Sequence, residues 1–312
     1  MLAHEMKLQW MVLAVFMVLS KWQHCAAGDQ LVPCYFIFGD SLADNGNNNR
    51  LQTLAKVDYA PYGVDFRNGP TGRFCNGLTI VDIIAEILGF HNYIPPFATA
   101  READMLYGLN YASGSAGIRD ETGQELFFPT SKEYTLERYT QLLIEQYSQQ
   151  LRSLYESGAR KLVVFGLGKI GCVPGAIATY GTNGSACVEL LNDASRLFNS
   201  KLLPAIDQLN DDLPDAKIIY INSYRIGEDS TVLDLKVNNT ACCPSSAIAQ
   251  CIPDQIPCQN RTQYMFWDSF HPTEIFNIFY AERSYSALDP SYAYPYDIRH
   301  LISLDQGVAE AM

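Results

Sequence analysis

The chain has 312 residues, 48% of them hydrophobic, with 22 basic side chains against 34 acidic ones and a formal net charge of −12. That is enough apolar material for one sizeable core. The acidic balance argues against nucleic acid and anionic membrane surfaces as partners.

The N-terminus comes first. Lys7 precedes "LQWMVLAVFMVLS", an apolar run of 13 residues from Leu8 to Ser20, and "CAAGD" follows shortly. The run is short for a membrane span and reads as a secretory signal, residues 1–27, cut near Ala27. A retained signal-anchor is the alternative. Cleavage leaves residues 28–312 as a single domain, without integral membrane association and expected as a monomer. Eight cysteines stay behind: Cys34, Cys75, Cys172, Cys187, Cys242, Cys243, Cys251 and Cys258. An even count in an exported chain suggests disulfides, with connectivity open. Zinc competes for "CCPSSAIAQCIPDQIPC", but that loop has no histidine and its spacing suits a compact metal knuckle poorly. The Asn-x-Ser/Thr sites at Asn183, Asn238 and Asn260 agree with export.

Along the rest of the chain, strand and helix patterns alternate. "CYFIFGD" is a short apolar run that ends in Gly-Asp-Ser, and Asn45, Asn47, Asn48 and Asn49 follow within five residues. These asparagines are expected to cap and turn the backbone rather than touch substrate. Arg73 in "TGRFCNG" suits either an internal ion pair or a carboxylate ligand. "LTIVDIIAEILG" is helical with a glycine stop. "LYGLNYASG" is a weaker strand. "TLERYTQLLIEQYSQQLRSLYESG" is a long amphipathic helix with Leu136, Tyr139, Leu143, Tyr147, Leu151 and Leu154 on one stripe. "KLVVFGLG" and "AKIIYINS" are buried strands, separated by the helical "CVELLNDASRLFNSKLLPAIDQLN". "TEIFNIFYAERSYSAL" closes the pattern, and the tyrosines of "DPSYAYPYDI" are expected to pack a tail over the domain. Such alternation predicts an α/β fold with a parallel sheet between helices. Ligands in these sheets sit at the carboxyl ends of strands, where Ser41 lies.

A serine hydroxyl needs a base, and the base needs an orienting group. Downstream of the signal the candidates are His91, His271 and His300. Only His271, in "FWDSFHPTE", has a carboxylate close by in sequence, Asp268. Pro272 is expected to open the final helix at its first position and to hold His271 out of helical geometry. Asp268 would fix the imidazole tautomer. No G-x-S-x-G elbow is present: Ser115 in "ASGSAG" comes closest, with Ser113 in place of the first glycine. This argues against a lipase of the α/β-hydrolase type.

"FIFGDSLADNGNNN", "TGRFCNG", "LNYASGSAGI", "ARKLVVFGLGKIGCVPG" and "FWDSFHPTE" resemble, in that order, the plant secreted GDSL esterase/lipases of the SGNH hydrolase superfamily. The resemblance runs from about Pro33 to the C-terminus. It implies a three-layer α/β/α sandwich with a flavodoxin-like parallel sheet. It also implies cofactor-free hydrolysis of carboxylic esters of lipids, acylated small molecules or sugars, outside the cell in the wall or apoplast. By motif position Ser41 is the nucleophile, His271 the base and Asp268 its orienting acid. Gly114 gives a backbone N–H to the oxyanion beside that of Ser41.

The family's Gly-x-Asn-Asp block, which brings a further oxyanion donor at the end of a central strand, has no counterpart. "AGIRDETG" and "FFPTSKEYT" meet where a helix, that strand and its asparagine are expected. Asn192-Asp193 and Asn210-Asp211 fall in helical sequence and do not replace it. A lost oxyanion donor costs about 3–4 kcal/mol of transition-state stabilisation. A lost strand leaves backbone groups unpaired beside the nucleophile unless "KLVVFGLG" moves in to pair with "CYFIFGD". Three readings follow: an ester hydrolase, a shortened and impaired form of one, or a non-enzymatic derivative that binds a ligand in the same cleft.

Overall fold

The computed structural model of the chain describes residues 30–120, 122, 133–181, 184–246 and 249–304. The expected signal segment, Asn183 and most of the shortened junction after Asp120 lie outside them. The helices are α1 (Ile80–Ile87), α2 (Leu136–Glu156), α3 (Pro174–Tyr180), α4 (Glu189–Asp212), α5 (Ser223–Glu228), α6 (Glu274–Tyr285) and α7 (Ile298–Ser303). The strands are β1 (Lys161–Phe165), β2 (Lys217–Ile221), β3 (Val237–Ala241), β4 (Tyr264–Phe266) and β5 (Ala293–Tyr294). Among the described residues no helix is long and apolar enough to cross a membrane.

Period-two alternation in two apolar strands builds the layers. β1 and β2 pair in parallel, from Lys161 opposite Lys217 to Phe165 opposite Ile221. Leu162, Val164, Ile218 and Tyr220 pack on one side with Ile144 and Leu151 of α2 and Phe198, Leu202 and Ile206 of α4. Val163, Phe165, Ile219 and Ile221 turn the other way, onto Ile83 and Ile84 of α1, Phe279 of α6 and Leu301 of α7. This is the expected α/β/α sandwich. Ile206, Ile219 and Ile221 have no measurable exposure, so each contributes about 1.5–3 kcal/mol of hydrophobic burial. The C-terminal tyrosine segment does more than cover the domain: Tyr294 and Ala293 form β5, antiparallel to β2 at the sheet's edge.

The helix signals are realised with small shifts. Thr79 and Asp82 form a reciprocal capping box at the start of α1, and Thr135 caps α2. In α2 the deepest line is Thr140, Ile144 and Leu151, with Leu143, Tyr147 and Leu154 partly buried beside it. Leu136, placed on the apolar stripe by periodicity, lies in the first turn of the helix and is 41% exposed.

The nucleophile segment stands apart from this sheet. Tyr35 and Ile37 donate to Tyr107 and Leu109, while Tyr111 and Ser113 donate back to Ile37 and Gly39, giving four parallel ladder bonds of 2.7–3.0 Å. The two sequence-expected strands therefore pair with each other, reduced to a bridge between Ile37 and Asn110. Neither pairs with β1 among the described residues. "KLVVFGLG" has not moved in. One face of the ladder is covered: Ile37 and Ala112 pack on Ala85 of α1 and on Ile94. The opposite face is bare. Phe36 is 44% and Phe38 54% exposed, and Phe38 stacks on the exposed Tyr111 with ring centroids 5.2 Å apart.

Candidate active site

Ser41 begins a tight turn in which Ala43 and Asp44 donate backbone N–H groups to the Asp40 carbonyl. The Asp40 carboxylate accepts from the Leu42 N–H at 2.9 Å. Behind the turn lies Asp44, with no solvent exposure. Its Oδ1 accepts the N–H groups of Gly46 and Asn47, and its Oδ2 accepts the N–H of Gly114 at 2.9 Å. Burial raises the Asp44 pKa above the ordinary carboxylate value, against the lowering effect of these amides. Gly46 sits at φ 142°, and a Cβ there would meet the Thr71 carbonyl at 2.8 Å, so only glycine fits.

The asparagines turn the backbone, as expected, in a 3-10 turn over Asn47–Arg50, and their side chains also brace across the fold. Asn45 donates to the Ile94 carbonyl. Asn47 donates to Asn110 and Ala112 and accepts from the Ala98 N–H. Asn48 donates to Ala55 and Gly114 and accepts from the Ser113 hydroxyl. Asn49 donates to Thr71. Each bond satisfies a backbone or hydroxyl group of a segment that has little regular pairing of its own.

His271 reaches the serine from the far end of the chain. It lies in a tight reversal in which Trp267 N–H donates to the His271 carbonyl at 2.7 Å and Thr273 N–H to that of Met265. Pro272 bridges antiparallel to Phe266. α6 starts only at Glu274, with Thr273 as its N-cap. The expectation that Pro272 opens the helix is therefore corrected: proline lies before the cap, and the hairpin-like reversal presents the imidazole. Nε2 of His271 is 2.8 Å from Ser41 Oγ, and Nδ1 is 2.8 and 2.9 Å from the two oxygens of Asp268. With Nδ1–H donating to the carboxylate, Nε2 is free to accept from the serine hydroxyl.

Asp268 is fully buried and saturated with donors. Oδ1 accepts the N–H groups of Phe270 and His271, and Oδ2 accepts the Tyr62 hydroxyl at 2.6 Å. Burial alone would raise its pKa; the attraction of His271 and these hydrogen bonds outweigh it and hold the carboxyl below the ordinary value. Tyr62 gave no sequence signal, because it lies far from Asp268 along the chain. The Phe74 ring flanks the imidazole at 4.9 Å.

The remaining candidates fall elsewhere. Arg73 makes a bidentate pair with Asp82, both bonds 2.7 Å and both side chains nearly buried, which answers the choice posed by the sequence in favour of an internal ion pair. His91 is exposed and His300 stacks on Tyr296. Asn192 accepts from the Gly171 N–H inside α4, and Asn210 brackets Ile218. The Cys-rich loop is closed by Cys242–Cys258 and Cys243–Cys251, which removes those thiolates from zinc ligation; Cys172–Cys187 is a further bridge. The disulfides expected from the cysteine count are present, Cys34 is also disulfide-bonded, and Cys75 is a buried free thiol. Gly114, expected as an oxyanion donor, has its N–H engaged by Asp44, whereas the Ser41 N–H has no partner in the described structure.

The model of the GDSL-like Lipase/Acylhydrolase family matches residues 121–283, which contain Asp268 and His271. Three GDSL esterase/lipases of Arabidopsis thaliana are 41%, 39% and 39% identical to the chain, covering 94%, 94% and 95% of it and 99%, 99% and 98% of their own lengths. The first alignment spans 357 positions against 312 residues here, so that relative carries residues with no counterpart in this chain.

Proposed function

The chain belongs to the GDSL esterase/lipase family, and on that premise we propose that it is a secreted serine hydrolase that cleaves carboxylic esters through Ser41, His271 and Asp268. The carrying observation is the unbroken hydrogen-bond line from Ser41 Oγ through His271 to Asp268, each link 2.8 Å. In this reading Nε2 takes the proton as Oγ attacks the ester carbonyl carbon. Asp268 stabilises the resulting imidazolium, which then gives the proton to the departing alcohol. Water, activated by the same imidazole, releases the acid from the acyl-serine. Leu42 and Phe270, 46% and 47% exposed and next to Ser41 and His271 in sequence, support an apolar acyl group as the substrate's recognised part. The disulfides and the exposed Asn238 and Asn260 support export and glycosylation.

The oxyanion falls first to the free Ser41 N–H. Gly114 serves as second donor only when its N–H is shared with, or released by, Asp44. A single donor places the enzyme about 10²–10³-fold below a two-donor site in kcat. That observation favours an impaired hydrolase as the second reading.

Treatment of the secreted chain with a fluorophosphonate probe, beside Ser41→Ala, tests the proposal. Labelling that depends on Ser41 is the expected result. A folded, secreted parent that takes no Ser41-dependent label overturns the enzyme reading.

A further inference from the structure

We propose that Tyr62 is a positioning residue for the triad, holding Asp268 in place and setting how strongly its carboxylate pulls on His271. The inference rests on the triad reading above. Tyr62 is 1% exposed, and its hydroxyl sits between two fixed groups. The Cys251 N–H donates to it at 3.0 Å, and it donates to Asp268 Oδ2 at 2.6 Å. With one lone pair taken by the amide, the phenolic proton points at the carboxylate.

The donor of this relay is itself clamped. Cys251 is bonded to Cys243, whose N–H donates to the Trp267 carbonyl next to Asp268. Cys242, bonded to Cys258, likewise donates to Phe266. The disulfide loop and the reversal that carries Asp268 and His271 are thus one hydrogen-bonded unit, and Tyr62 joins the Pro61–Phe66 turn to it. The ring is held independently by edge-on contacts with Tyr59, Phe74 and Trp267 at 5.4–6.4 Å. Replacing tyrosine by phenylalanine therefore removes the hydroxyl while keeping the packing.

The electrostatic consequence has a definite sign. A donor on Oδ2 takes up part of the carboxylate's charge; without it, Asp268 attracts the imidazolium more strongly. The groups that face this carboxylate are His271, Tyr62, the amides of Phe270 and His271, and the more distant Tyr59 hydroxyl. None of the others replaces the lost donor.

The test combines kinetics with proton magnetic resonance on the full mature chain. Tyr62→Phe is expected to lower kcat about tenfold at unchanged KM. It should also move the acid limb of the kcat/KM profile upward by about half a pH unit. Because that variant leaves the Cys251 amide unpaired and risks poor folding, 3,5-difluorotyrosine at position 62 is the companion. Its stronger donor should move the limb the other way, and should shift the low-field Nδ1–H resonance of His271 opposite to phenylalanine. A limb and a resonance that neither substitution moves overturn the proposal. A parent that takes no serine probe sinks the triad reading instead, and the Nδ1–H resonance still decides whether Tyr62 and Asp268 are coupled.

Discussion

Gly114 gives its N–H to Asp44 at 2.9 Å, so an amide expected to meet an oxyanion instead fastens the nucleophile loop to the following crossover. Asp44 holds two further amides, those of Gly46 and Asn47. Asp44→Ala leaves three N–H groups without an acceptor, those of Gly46 and Gly114 buried and that of Asn47 partly so. At about 1–3 kcal/mol for such an orphaned group, partly relieved by water, a loss of about 2–4 kcal/mol is expected. Denaturant unfolding of the variant against the parent reads it directly. A change under 0.5 kcal/mol would show that Asp44 is dispensable.

Asp268 makes stability depend on acid in a fixed direction. Its folded pKa is lowered from 3.8, so it contributes stability that is fully present above that value. The contribution fades as pH falls through the lower folded value, where the native state resists the proton. The Tm advantage of the parent over Asp268→Asn should therefore be constant above about pH 5 and shrink below the ordinary carboxylate value. An advantage that grows on acidification contradicts this assignment. The same variant should lose about 10³–10⁴-fold in kcat.

Arg73 and Asp82 are paired in a buried setting, and Asp82 also caps α1. Arg73→Leu strands the carboxylate and should cost about 3–5 kcal/mol. KM for neutral and anionic esters should change in parallel, if at all. A selective rise for anionic esters would instead mean that Arg73 meets substrate.

The unpaired edge of the ladder makes a residue-resolved prediction for amide exchange. Ile37 donates to Leu109 at 3.0 Å, while the amides of Phe36 and Phe38 have no partner in the described structure. Ile37 should be protected and its two neighbours should exchange rapidly. Phe36→Ser with Phe38→Ser should reduce binding of a hydrophobic dye to the native protein. Protection at all three positions would mean that this edge is covered in solution.

The triad was legible because Gly-Asp-Ser and Asp-x-x-His each carry their chemistry within a few residues. The helices were legible for a similar reason, since caps and periodicity are local. What escaped was everything set by contacts between distant segments. Tyr62 reads as one more aromatic residue in a turn, and nothing local tells it apart from Tyr59. The asparagines carry turn propensity, but their partners lie as far off as Ala112 and Gly114. Pro272 follows the rule for a helix start, yet the Thr273 side chain bonds the Tyr264 carbonyl and draws the backbone into the reversal first. The shortened junction is consistent with one further feature: among the described residues the nucleophile ladder and β1 do not pair.

The asparagine braces and the two Cys-loop disulfides both lie on the triad's side of the open edge. Ser41 is pinned to segments 94–114 by side-chain amides, and His271 to residues 242–251 by covalent and backbone bonds, with none of these ties passing through β1 or β2. The reacting atoms are registered by local fasteners, much as a lock is bolted to its own plate rather than to the door. A lineage with this arrangement has room to trim its sheet: residues can be lost between nucleophile and base while the 2.8 Å between them is kept.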